Sequence, residues 1–271
     1  MKYVLLGATR GCGLQVLLQL LKSQDEQGHE LFTLSRNKDA LIKTLKENDY
    51  EFDTASKDPT SKNKLHIFVG DALKSESVQE LFNTAGHDID VIFFSLGGTL
   101  TFHSNPFKVP DLNPPSICEK GTDILLETLS AHHQVTPPKL VVISSNGLGK
   151  DGHSKLPFGL KTMYGWMLAN PHADKEKMEK ALHYNAGLPS VDFNPDGEAP
   201  ATGALLKNLI IVRPALLTDG PVTAKYRSGE GYIRKAYSIR RADVGHFIYV
   251  QCLSRGADNG QWHNKSVSIA Y

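Results

Sequence analysis

The chain has 271 residues, enough for one large core, with 30 Lys and Arg against 29 Asp and Glu and a formal net charge of +1. That balance argues against nucleic acid or an anionic membrane as partner. No apolar run approaches the ~20 residues of a membrane-spanning helix.

Cys12, Cys118 and Cys252 lie far apart without metal-ligand spacing. They read as small apolar residues of a reducing, cytoplasmic compartment, and no metal site is expected. The N-terminal stretch, one Lys and a short apolar run, reads as no secretory signal.

Lys2-Tyr3-Val4-Leu5-Leu6 reads as a short buried strand. Gly7-Ala8-Thr9-Arg10-Gly11-Cys12-Gly13 follows as a glycine turn of G-xxx-G-x-G spacing. Residues 14–22 then carry Leu14, Leu17, Leu18 and Leu21 at helical spacing. Strand, glycine turn and helix in that order predict a dinucleotide cradle. Gly7, Gly11 and Gly13 remove Cβ atoms where backbone meets a pyrophosphate, and the helix N-terminus offers free N–H groups. Thr9, Arg10 and Cys12 belong to the same cofactor-binding turn. The helix N-terminus predicts a lowered pKa for the Cys12 thiol, although Cys12 reads first as a packing residue.

Further strand-like runs occupy 30–35, 65–69, 91–95, 140–144 and 209–213. Their continuous apolar character suits strands covered on both faces of a parallel sheet. Helical stretches fill the gaps at 40–48, 77–82, 115–129, 174–183 and 243–253. The alternation predicts an α/β fold: a Rossmann-like doubly wound parallel sheet with helices on both faces, in a single domain over 1–271.

Two segments read as surface: the polar stretch 47–64, and 185–204, a Pro/Gly/Asp/Asn-rich insertion opposite the cofactor. His132 and His133 read as solvated. Segment 147–171 follows a strand's C-terminal end, where such sheets bind ligands. Phe158, Met163, Tyr164, Trp166 and Met167 make it either a lid over the substrate or an aromatic-anchored surface loop.

Ser35-Arg36-Asn37-Lys38 follows the second strand, where an NAD site usually places an Asp or Glu. A 2′-phosphate finds a charge-assisted partner in Arg36 and a second in Arg10, so NADP (as NADPH) is expected over NAD. In Gly70-Asp71-Ala72, Asp71 either accepts from the adenine amino group or caps a helix. Ser95-Leu96-Gly97 should pass the cofactor's middle, with glycine permitting close approach. Ser144 and Ser145 end the fifth strand. A hydroxyl there either donates to a substrate carbonyl or merely closes the strand. Lys175 either reaches the nicotinamide ribose or faces water.

Together these residues resemble the atypical short-chain dehydrogenases/reductases, and among them the flavin reductase (biliverdin reductase B) group. The likeness rests on the glycine turn, Ser35-Arg36, Val69-Gly70-Asp71-Ala72-Leu73, Ser144-Ser145 and Ala173-Asp174-Lys175. It extends through Val212-Arg213-Pro214-Ala215-Leu216-Leu217-Thr218-Asp219-Gly220-Pro221 and Asp243-Val244-Gly245-His246-Phe247. The resemblance implies that Pro214 and Leu216 line the nicotinamide side. It also implies that segments 97–117, 147–172 and 214–237 build the substrate side.

The wider superfamily pairs a Ser and a Lys with a Tyr four residues before that Lys. Here that position holds Pro171, and Ala215 stands where the flavin reductase group has a His. Candidate proton donors are then His103, Tyr164, His153 and His172, while a flavin or quinone lets solvent supply the proton. The expected function is NADPH-dependent reduction of a flat conjugated small molecule: a flavin, a quinone or an aromatic ketone. A non-catalytic NADP-binding sensor and an isomerase on the same fold are the alternatives. The expected partner is the small-molecule substrate alone, with the chain a monomer or homodimer.

Overall fold

The computed structural model describes residues 1–52, 61–105, 107–189, 204–254 and 260–271. Strand β1 (Lys2–Leu6) runs into helix α1 (Gly11–Leu21), then β2 (Glu30–Ser35), α2 (Lys38–Glu47), β3 (Lys64–Val69) and α3 (Ser75–Ala85). Strand β4 (Val91–Phe94) leads to a hairpin of β5 (Thr99–Thr101) and β6 (Asp111–Asn113), then α4 (Ile117–Ala131) and β7 (Lys139–Ile143). Two short helices follow, α5 (Gly149–Lys155) and α6 (Phe158–Met167), and then the longer α7 (Ala169–Asn185). The last part holds β8 (Asn208–Pro214), β9 (Leu216–Thr218), β10 (Arg227–Glu230) and β11 (Ser238–Arg240). Helix α8 (Arg241–Ile248) widens into a π-helical turn (Tyr249–Leu253), and β12 (Lys265–Ala270) closes the order.

Eight strands form one sheet in the order β10-β12-β8-β7-β4-β1-β2-β3. Its pairings are parallel except β10 with β12 at the edge. The progression reverses between β1 and β4, where Leu6 lies beside Phe94. Chains leaving those two strands diverge to opposite faces and open a crevice at the strands' C-terminal ends.

Alternation along β1 divides the core. Tyr3 and Leu5 face α1 and α8, packing with Leu17, Val244 and Phe247. Val4 and Leu6 face the layer of α3, α4 and α7, packing with Phe82, Leu125 and Met178. Both faces are covered, which is why the central strands read as unbroken apolar runs.

The expected strands are all present with small shifts of boundary. Strands β10 and β12 and the pairs β5–β6 and β9–β11 were not expected. Residues 53–60 and 190–203, within the two segments expected at the surface, lie outside the described residues. Tyr50 and Phe52, from the first of these segments, pack against the core and so depart from a solvated loop. His132 is also a correction: it is buried and stacked on His87 at 4.4 Å, while His133 is exposed. Among the described residues no helix is long and apolar enough to cross a membrane.

Candidate functional site

The crevice is built first from glycines. A Cβ on Gly7 would lie 2.7 Å from the Ser95 carbonyl, and one on Gly13 would lie 2.2 Å from the Gly7 oxygen. Gly11 has open space around it but φ +56°, so conformation favours glycine there. The Ser95 hydroxyl donates to the Gly7 oxygen at 2.9 Å and ties β4 to the turn. This cradle borders a cavity of about 310 Å³ lined by Gly7, Thr9, Arg10, Arg36, Asp71 and Ala72, with Ser95, Leu96 and Gly97 opposite.

Arg36 is exposed at this cavity and, among the described residues, has no hydrogen-bond or ion-pair partner. Arg10 is engaged differently: its guanidinium donates to the Gly97 oxygen at 2.9 Å and to Thr99 Oγ1 at 3.1 Å. The two cations border one cavity, but Arg10 reaches toward the β4–β5 connection. Asp71 accepts from the Leu73 N–H at 3.0 Å, stabilising the turn before α3 rather than capping the helix itself. Ser35 is buried, and its hydroxyl is spent on the Asn37 oxygen at 2.7 Å, so it does not line the cavity. Cys12 also corrects its expectation. Burial pushes its thiol up to about 12 and outweighs the nearby charges of Arg241 and Lys175. Pro214 is buried at the end of β8, and Leu216 is half-buried on β9 beside Ser238.

The fit to a dinucleotide rests on the glycine cradle, the free cation and the strand reversal. Gly7, Thr9 and Ser95–Gly97 would hold the pyrophosphate region, and Arg36 the far ribose end.

At the C-terminal end of β7, Ser144 and Ser145 part ways. Ser144 is 4% exposed, and among the described residues its hydroxyl is sealed without a partner. Ser145 is half-buried, with Oγ 3.2 Å from Nε2 of His172. Lys175, one turn further along α7, donates to the Ile143 oxygen at 2.9 Å. Its charge acts on both the Cys12 and Cys118 thiols, lowering them against the effect of burial.

Helix α7 is the element that organises this end. Asp174 accepts from the N–H groups of Cys118 and Glu119, each at 2.9 Å, filling donors left open at the start of α4. Glu176 accepts from the Gly149 N–H at 2.8 Å, where α5 begins. Glu179 forms a fully buried ion pair with Arg213 of β8. Arg213 in turn lies 4.8 Å from the ring centre of Tyr232, whose hydroxyl donates to the Leu148 oxygen at 2.8 Å. Asp174, Glu176 and the Glu179–Arg213 pair were not expected at the site. The signal was present: positions 172, 175, 176 and 179 carry polar residues at the spacing of a buried helix face.

Of the other expected donors, Tyr164 is 2% exposed, and burial raises its phenol to about 12. It meets His172 through a ring edge, 5.4 Å between centres. His103 is paired with Asp111 at 3.0 Å across the β5–β6 hairpin. Segment 147–171 forms α5, α6 and the start of α7, and its aromatics divide. Tyr164 packs inward, Trp166 approaches Phe102 of the hairpin at 6.4 Å, and Phe158 is 91% exposed.

The fold and this crevice define the class: a Rossmann-type, NAD(P)-binding oxidoreductase architecture, resembling the atypical short-chain dehydrogenases/reductases. No family model matches the chain. It is 28% identical over 285 residues to the reductase pytE of Aspergillus terreus, covering 98% of this chain and 96% of that protein. ChuY, an anaerobillin reductase from Escherichia coli O157:H7, has a similar structure, with TM-score 0.60 at 18% identity, over 100% of this chain and 97% of that one. A wide-type short-chain dehydrogenase/reductase from Veillonella parvula, in complex with NADP, gives TM-score 0.62 at 13% identity, over 100% and 94% of the two chains. At these identities the two solved structures attest the fold.

Proposed function

We propose that this protein is an NADPH-dependent reductase of a flat, conjugated small molecule: a flavin, a quinone or an aromatic ketone. The observation that carries the cofactor choice is Arg36, a cation without a partner among the described residues, at the edge of the glycine-lined cavity. A 2′-phosphate would satisfy it, whereas NAD would leave it without a partner. The NADP-bound neighbour from Veillonella supports the same cofactor, and the reductase relative from Aspergillus supports the reductase reading. NADPH, when bound, supplies a hydride.

The chain's own residues supply the rest. Ser145 offers a hydroxyl to the acceptor's oxygen. Lys175 places a positive charge at the C-terminal end of β7, near Ser145, favouring the negative charge that develops on the acceptor. Phe102 and Trp166, reaching toward each other from the hairpin and α6, suit a planar apolar acceptor.

The test is NADPH oxidation by the purified protein with a flavin, a quinone and an aromatic ketone offered in turn. Turnover is expected with at least one, and more slowly with NADH. Tight NADPH binding without turnover on any of them replaces this reading with that of a cofactor-binding sensor.

A further inference from the structure

The position that usually holds the proton-donating tyrosine is Pro171, yet the next residue, His172, reaches the serine at the end of β7. Ser145 Oγ lies 3.2 Å from His172 Nε2 and 3.3 Å from the Asn146 carbonyl oxygen. A carbonyl only accepts, so the arrangement that satisfies both contacts turns the single hydroxyl hydrogen of Ser145 to Asn146 and has Nε2 donate to Oγ. Burial, with the charges of Lys175 and His153 adding to it, pushes His172 down to about 4. The ring is therefore neutral at neutral pH and carries one N–H, which this arrangement places on Nε2.

The pair is held from several sides. Tyr164 of α6 packs edge-on against the imidazole. Asp174, Lys175, Glu176 and Glu179 pin α7 to α4, β7, α5 and β8.

We propose that His172 and Ser145 form a donor chain that delivers the proton to the reduced acceptor, Ser145 touching the acceptor's oxygen and His172 acting through Ser145. This rests on the reductase reading above. An acceptor oxygen that displaces the Asn146 carbonyl receives the Ser145 hydrogen, and the bond from Nε2 strengthens Ser145 as a donor. In the reduction of a ketone, carbon gains the hydride and its electron pair from NADPH, and the C=O π pair moves to oxygen. Oxygen takes the Ser145 proton and Ser145 takes the Nε2 proton while Nδ1 takes one from solvent in the same step, so the ring exchanges one N–H for the other and stays neutral; exchange with solvent then restores the Nε2 proton. The net change is ketone plus hydride plus proton to alcohol. Ser145 is the catalytic residue of the pair, and His172 positions and recharges it.

The acceptor decides how much this chain matters. A ketone leaves a localised alkoxide that needs a proton at once. A quinone leaves a delocalised anion that solvent protonates. Three full-length proteins test the idea: wild type, Ser145→Ala and His172→Gln. The first readout needs no turnover. In the NADP-bound protein, imidazole ¹⁵N spectra should show His172 protonated at Nε2, and Ser145→Ala should shift that resonance. Both variants should bind NADPH within about threefold of wild type. Both should lose about 100-fold or more in kcat with the ketone and less than about tenfold with the quinone. A His172 protonated at Nδ1 overturns the proposal, as does an equal loss on both acceptors or no loss on either. A wild type that reduces only a flavin overturns this proposal and leaves the reductase reading standing; one that reduces none of ketone, quinone and flavin overturns both.

Discussion

Arg36→Glu separates NADP from NAD. Arg36 lines the cavity beside Asp71 and Ala72, is exposed, and has no partner among the described residues. Removing one charge-assisted hydrogen bond to a 2′-phosphate costs about 1.5–3 kcal/mol. Reversing the charge adds repulsion, and because the position is exposed the high-dielectric figure applies, about 1 kcal/mol at contact distance. The sum, about 2.5–4 kcal/mol, corresponds to NADP binding weakened between about 70-fold and 1000-fold. NAD has no phosphate to lose, and the new carboxylate can accept from its 2′-hydroxyl, so NAD affinity should hold or improve. Calorimetric titration of both cofactors into wild type and variant at low salt gives the ratio. Repeating it near 1 M salt, where the screening length falls to about 3 Å, should shrink the difference. An NADP/NAD ratio unchanged by the substitution at low salt refutes the assignment of Arg36 to the phosphate.

Two further outcomes concern the frame that holds the site. Glu179→Ala leaves the fully buried Arg213 guanidinium without its carboxylate, which should cost about 3–5 kcal/mol of stability. For a chain of this size that lowers Tm by about 6–20 °C, read by scanning calorimetry, and a fall below about 2 °C contradicts a closed buried pair. His172 gives a pH signature. Its value falls from 6.5 in the free side chain to about 4 in the fold, so between those values the unfolded chain takes up the proton first. Stability should then decline by about 3 kcal/mol as pH drops from 6.5 to about 4, with no contribution from this group above 6.5. His172→Gln should flatten that part of the denaturation-against-pH curve, and an unchanged curve means that the imidazole is not buried neutral.

The glycine cradle was legible because its geometry is local. Gly7, Gly11 and Gly13 lie within seven residues, and the strand before and helix after them are read from the same short window. The place of Arg36 at the cavity follows from position alone, since it directly follows the second strand of a βαβ unit. Short windows also mislead. Cys12 at a helix N-terminus suggests an acidic thiol, but α1 packs that thiol into the core, and desolvation wins. Ser35 looked available, yet its hydroxyl folds back on Asn37.

The reacting half resists such reading because helix α7 inverts the usual pattern. A helix that carries His172, Lys175, Glu176 and Glu179 on one face looks like a solvated polar stripe. Here that stripe faces inward, and each residue meets a distant partner: Ser145, the Ile143 carbonyl, the Gly149 N–H and Arg213. Burying polar groups is tolerable where they find partners, and such pairing also rigidifies the elements it joins. Loss of the expected tyrosine therefore does not leave the β7 end slack. The helix that would have carried it is pinned at four points, and the next side chain along, His172, is held against the serine.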